Sequence, residues 1–435
     1  MTRPFTEIIP EEEFLPLAQS AAQDFLKICN YLDERHDGFT QKFYVHLLKE
    51  SQELEDFLDD HGARTNRNWV FFGELVASVR NFGRIAYTLI HLLRRYNVYH
   101  LEESQVKGFL DDARKTMDFL NQSIIALFEE INRECKKLGI GLPRNRISEE
   151  DFKEIYPNRM LPHNVGEEEG VDEKKNAVRI ATEFLNVARR FTELECVTRI
   201  DPEKLEGVVP CRISEDKLRE FQFTIHNLQS IYDTYIKNTA LESESRYPKS
   251  LRGYISITLH LLEIACWLSH FYERHESEIR HEKTKKKVER IINKEMVLES
   301  AVNFAVFYVH QYLQEGTAPA NKILKAHTEI DRIELKVPEG LGFHLRPSTL
   351  VAKIMNYYGS NVIMTVKDKK FNAGSPIEMM WAGGLLKREN IDTVTFEGDK
   401  RVLRDLKILA DVNYGEDIMG KSIELPKELS YLNKT

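Results

Sequence analysis

Residues 342 to 349 read Gly-Phe-His-Leu-Arg-Pro-Ser-Thr. His344 offers a ring nitrogen that is neutral and nucleophilic near physiological pH. Arg346, two residues on, brings a planar cationic fork matched to phosphate oxygens. Pro347 suits the first turn of a helix because it has no amide hydrogen to leave unpaired. The amides of Ser348 and Thr349 beyond it are expected to stand open at the positive end of the helix dipole, where an anion is stabilised. A histidine that accepts a phosphoryl group needs these parts: a nucleophilic nitrogen, and donors for the three oxygens that arrive. Positioning and charge stabilisation do most of the catalytic work in phosphoryl transfer.

The surrounding text predicts the elements that hold this run in place. Residues 332–337 and 361–366 are short, β-rich and partly alternating, as are 369–374 and 392–398. Helical text separates them at 346–359 and 400–415. The order is βαββαβα, and Gly359, Gly374 and Gly398 sit where turns or helix ends belong.

The His-x-Arg-Pro run, this order of elements and the serine-led helix of Ala-Gly-Ser-Pro-Ile-Glu-Met-Met (373–380) resemble HPr. HPr is the histidine-containing phosphocarrier of the bacterial phosphoenolpyruvate–sugar phosphotransferase system. The resemblance covers roughly residues 331 to 415. It implies an α+β open-faced β-sandwich over 331–420, with His344 as the phospho-acceptor through Nδ1 and Arg346 as its electrostatic partner. It also implies an enzyme I-like phosphoryl donor, an enzyme II-like acceptor or a regulated protein as partners, and no cofactor. Ser375 aligns with the serine that a dedicated kinase phosphorylates in many members of the family. Pro376 and Glu378 replace the usual docking residues here, so Ser375 is equally a helix N-cap. Ser348 stands where the family has alanine.

Ahead of this region, from about residue 14 to 315, apolar residues recur at intervals of three and four. Leu75, Val79, Phe82, Ile85, Leu89 and Leu92 form one such stripe. Helices are predicted over 15–36, 39–60, 68–97 and 102–138, and they resume near 175 after Pro-, Gly- and Asn-rich text. Residues 22–32 can be laid on 181–191, and 85–95 on 264–274 with five of eleven positions identical. The region is therefore read as all-α, a tandem duplication of a four-helix unit at 1–160 and 171–318. An insertion near 196–216 would account for the shift in register between the two matches.

The duplication pairs His91 with His270 and Arg95 with Arg274. On a helix, His91 and Arg95 share a sector with Arg80 and Arg84, away from the apolar stripe. That sector is a solvated face, a polar contact between helices, or a basic surface for an acidic partner or phosphorylated ligand. Asp33-x-x-His36 is the nearest approach to a di-metal bundle motif, and without facing carboxylates it predicts no metal. Residues 415–422, Gly-Glu-Asp-Ile-Met-Gly-Lys-Ser, match the P-loop expression. They lack a preceding strand and a following helix, and Glu416 and Asp417 would put acid in a phosphate cradle. The alternating charges of 274–290 mark an exposed helix or turn.

At 435 residues the chain exceeds one ordinary core, so several domains are expected. A net charge of −8 argues against a nucleic-acid-coating protein. The five cysteines are scattered, which fits free buried thiols in a reducing compartment. No run approaches the roughly 18 apolar residues of a spanning helix, and the N-terminus carries no readable signal peptide. The expectation is a cytoplasmic phosphocarrier or regulator that accepts a phosphoryl group on His344 and signals through or to its helical region. The alternatives are an interaction scaffold that binds without phosphotransfer, or a helical ligand sensor or enzyme under control of the α+β region.

Overall fold

The computed structural model describes residues 8–32, 38–101, 108–145, 147–152, 173–276, 282–358, 360 and 362–433. Helix predominates. The first predicted helix is two, α1 (Glu11–Ala21) and α2 (Gln23–Leu32), broken at Ala22. Then come α3 (Gln41–Asp60), α4 (Val70–Arg95) and α5 (Phe109–Leu138). Thr40 caps α3, its hydroxyl accepting from the Phe43 amide at 3.2 Å. Helices α6 (Glu173–Thr192), α7 (Glu215–Tyr235), α8 (Ala240–Glu244) and α9 (Arg246–Glu276) follow. After α10 (Glu282–Glu289) and α11 (Lys294–Leu298), a π-helical stretch at Glu299–Val306 leads into α12 (Phe307–His327). Among the described residues no helix is long and apolar enough to cross a membrane. Asp33 and His36 lie outside the described residues.

The rest is a small antiparallel sheet and three helices. Strands β1 (Ile330–Lys336), β2 (Ile363–Val366), β3 (Lys369–Asn372) and β4 (Thr393–Asp399) lie in the order β1-β4-β2-β3. Helices α13 (Leu345–Tyr358) and α14 (Pro376–Glu389) intervene, and α15 (Lys400–Asp411) follows β4. Register places Leu335 opposite Val394, and both Ile333 and Met364 opposite Phe396. Strand side chains alternate between faces. Leu335, Met364, Val366, Val394 and Phe396 therefore share one face and join a core with Val351, Met379 and Leu406 of the helices. The other face carries Glu334, Thr365, Thr395 and Glu397, none of them buried.

The chain divides into two compact units. One comprises 1–165, 191–227 and 252–315; the other comprises 166–190, 228–251 and 316–435. The second unit thus includes most of α6 beside the sheet region. Tyr357 of α13 donates to Glu183 at 2.8 Å and accepts from Asn186 at its carbonyl at 2.6 Å, and Arg401 of α15 donates to Thr182 at 3.0 Å. Residues 427–433 close the same side. Leu429 and Leu432 enter the core, and Tyr431 stacks on Tyr357 at 4.0 Å. The hydroxyls of Tyr431 and Tyr358 donate to one buried carboxylate, Asp405, at 2.9 and 2.7 Å.

In the first unit, three members of the α4 sector set apart by sequence, Arg80, Arg84 and His91, make contacts with other helices. Arg80 pairs with Glu55, and Arg84 lies over the Trp267 ring of α9 at 4.5 Å. Phe82 meets Phe271 edge-on at 5.0 Å, and the His91 ring meets His260 at 5.0 Å. All five cysteines are free, and four are buried. Burial pushes the thiols of Cys135 and Cys266 up to about 12, and that of Cys196 to about 11.

Candidate functional site

Helix α13 opens at Leu345, two residues before the proline. His344 is consequently the residue that caps it: its carbonyl accepts the Ser348 amide at 3.2 Å, and its own amide donates to Gly342 at 2.8 Å. This corrects the expectation for the amides. Ser348 N–H is engaged, and Thr349 lies inside the first turn, its hydroxyl bonded to the Leu345 carbonyl at 2.7 Å. The amides that precede the first helical hydrogen bond are those of Leu345 and Arg346. Pro347 sits in the first turn as expected and is buried. Ser348 is fully buried, and its hydroxyl has no hydrogen-bond partner among the described residues.

His344 is one-third exposed, and its Nε2 lies 2.7 Å from Oε2 of Glu416. An ionised carboxylate only accepts. In the neutral imidazole the bond therefore puts the ring proton on Nε2 and leaves Nδ1 with its lone pair. Among the described residues nothing hydrogen-bonds Nδ1. Arg346, about half exposed, sends Nη1 to Oε1 of the same carboxylate at 3.4 Å and to the Gly420 carbonyl at 3.2 Å. Glu416 itself is 4% exposed. One buried acid thus joins the histidine and the arginine.

The segment that matches the P-loop expression delivers this acid. It follows a 3-10 turn and precedes no helix; it forms a tight hairpin instead. Glu416 bridges Ser422, and the Asp417 carboxylate accepts the Met419 and Lys421 amides at 2.9 and 2.7 Å. In the sequence, Glu416 argues only against a P-loop and nothing joins it to His344. The available signal was the glycine pair, Gly415 and Gly420, bracketing an acid beyond the last helix; both have positive φ, as a hairpin requires.

Large apolar side chains stand exposed at Leu341 and Leu345 on either side of His344 in the chain, at Ile418 and Met419 in the hairpin, and at Ile377 and Trp381 on α14. Gly383 lets α14 approach, since an added Cβ there would lie 2.7 Å from the Phe343 carbonyl oxygen. Ser375 caps α14, accepting from the Glu378 amide at 3.3 Å, with Pro376 in the first turn.

The remaining sequence candidates, His91, Arg95, His270 and Arg274, lie in the first unit. His91 reaches Gln41 at 3.4 Å, and burial pushes its imidazole below the ordinary histidine value. Arg95 is exposed at the end of α4. His270 meets Glu215 at 2.6 Å and Arg274 at 3.5 Å; its burial, the largest effect, likewise lowers it. Arg84 is held below the usual arginine range, first by burial and then by the charges of Arg80 and Arg219. Among the described residues no group of three or more His, Cys, Asp or Glu is arranged to hold a metal. No protein-family model matches the chain, nor does any curated protein or solved structure.

Proposed function

We propose that the chain is an HPr-like phosphocarrier or regulatory protein of a bacterial phosphotransferase system, accepting a phosphoryl group on Nδ1 of His344. The observation that carries the reading is the histidine at the mouth of α13 with its Nδ1 lone pair free and Arg346 beside it. The βαββαβα order, built around a four-stranded antiparallel sheet, supports it.

Transfer proceeds by attack of the Nδ1 lone pair on the phosphorus of the donor, whose bond to the leaving group breaks with its electron pair. The Leu345 and Arg346 amides and the Arg346 guanidinium receive the oxygens. Arg346 exchanges the Gly420 carbonyl for the new dianion, a stronger acceptor. The apolar rim of Leu345, next to His344, and Ile418, in the hairpin that carries Glu416, gives an enzyme I-like donor, and an enzyme II-like acceptor or regulated protein, a surface to dock on. Nearly two added negative charges at a helix mouth suffice to change what binds there. The state of His344 is the signal carried through or to the helical region.

Incubation with phosphoenolpyruvate and a general enzyme I gives an acid-labile, alkali-stable label that His344→Ala abolishes. A wild-type chain left unlabelled beside a labelled HPr would refute the carrier reading. The apolar rim would then favour a module that binds a partner without transfer.

A further inference from the structure

Glu416 reaches His344 along backbone that its sequence does not favour. Asn413, Tyr414 and Gly415 are consecutive left-handed residues, with φ of 46°, 56° and 80°. For a side chain beyond glycine that region costs about 1–2 kcal/mol, and a bulky tyrosine is an uncommon occupant. Such strain persists where the surroundings over-determine it, and it gathers at functional sites.

Here the surroundings are specific. Tyr414 is 1% exposed, its ring edge-on to Phe343 at 5.1 Å and its hydroxyl donating to the Lys336 carbonyl at 2.9 Å. Asn413 accepts the Glu339 amide at 2.7 Å and donates to the Glu416 carbonyl at 3.1 Å. Beyond Gly415 the hairpin closes, with the Ile423 amide on the Gly415 carbonyl at 3.1 Å. All of these contacts fix one carboxylate against one nitrogen of one imidazole.

We propose that Glu416 is a positioning residue that selects the phosphorylated nitrogen: it holds the ring proton on Nε2, covers that edge, and so directs phosphoryl groups to Nδ1. The inference rests on His344 being the phosphoryl acceptor. As the N–P bond forms from the Nδ1 lone pair, the ring gains positive charge, and the proton on Nε2 stays in its bond to the carboxylate. Glu416 compensates that charge where it develops. Arg346, released from Oε1, is free to follow the phosphoryl oxygens.

The test uses the full chain and a small chemical donor, monoanionic phosphoramidate. Its nitrogen is already protonated, so ammonia leaves with the P–N electron pair and no further proton is needed. Phosphorus and nitrogen NMR read which ring nitrogen is modified, the His344 signals being assigned by their loss in His344→Ala. Wild type is modified at Nδ1. Glu416→Ala shifts the Nδ1-to-Nε2 ratio at least ten-fold toward Nε2, and Glu416→Gln, which keeps an acceptor oxygen, falls between. Equal ratios in wild type and Glu416→Ala overturn the proposal. So does an unmodified wild-type protein whose His344 spectrum shows the proton on Nδ1 or divided between the two nitrogens, a result independent of whether any variant folds. If enzyme I fails to label wild type while these chemical results hold, the carrier reading falls and the positioning role stands.

Discussion

Replacing Gly415 by alanine tests whether the strained approach to Glu416 is held in place as described. An added Cβ would lie 2.9 Å from Cδ1 of Leu350 and 3.1 Å from Cδ2 of Leu425, on backbone with φ of +80°. The left-handed conformation costs about 1–2 kcal/mol for alanine. Overpacking adds about 1 kcal/mol, the low end of its range, because both neighbours are side-chain methyls that can shift. A penalty of about 2–3 kcal/mol corresponds to roughly 30- to 150-fold more frequent opening of the hairpin. Two amides report it by hydrogen exchange: Ile423, bonded to the Gly415 carbonyl at 3.1 Å, and Asp417, bonded to the Lys421 carbonyl at 2.9 Å. Gly384→Ala is the control. Among the described residues, no atom beyond its chain neighbours and its own helix backbone lies within 4 Å of the added Cβ, and the position is helical. That substitution is expected to stabilise by about 0.5–1 kcal/mol. Unchanged exchange at Ile423 in Gly415→Ala, with the control behaving as expected, would refute the account of strain and packing at the hairpin.

Arg346→Ala removes a charge-assisted contact worth about 2 kcal/mol to the arriving oxygens, so labelling of His344 by enzyme I slows about 30-fold. An unchanged rate would show that the amides alone suffice. The unit that carries His91, His270 and His310 loses stability as pH falls. Burial lowers all three below the ordinary histidine value of 6.5, so the unfolded chain binds more protons than the folded one as pH drops through that value. Its melting temperature falls between pH 7 and pH 5, and His310→Gln, at a site where the buried Nδ1 has no hydrogen-bond partner among the described residues, blunts the fall. A flat profile would contradict the sign.

The regular parts of this protein were legible because periodicity is local. The strands predicted at 332–337 and 392–398 appear at Ile330–Lys336 and Thr393–Asp399, and the helix predicted at 39–60 appears at Gln41–Asp60. His344 and Arg346 were visible as a pair because two residues separate cause from effect. Glu416 was not, since it lies 72 residues from His344 and arrives on irregular backbone with no period to detect. The sector of Arg80, Arg84 and His91 shows the limit of a helical wheel. The wheel marks it as polar but does not say that Trp267 and His260 of another helix lie against it. The helix predicted from residue 346 begins one residue earlier, because a proline in the first turn says where that turn can run and not where it must begin.

The closure of the sheet region by residues on both flanks also bears on the order of synthesis. Tyr357 waits for its stacking partner Tyr431, while Glu183, which accepts its hydroxyl, was made 174 residues before it. At translation rates of about 5–20 residues per second, that surface of α6 stands open for roughly 10–35 s before α13 emerges. The core remains incomplete until Leu429 and Leu432 follow. The nascent chain therefore carries a waiting helix while those residues are made, and the histidine site becomes whole only once Glu416 has followed His344 by 72 residues.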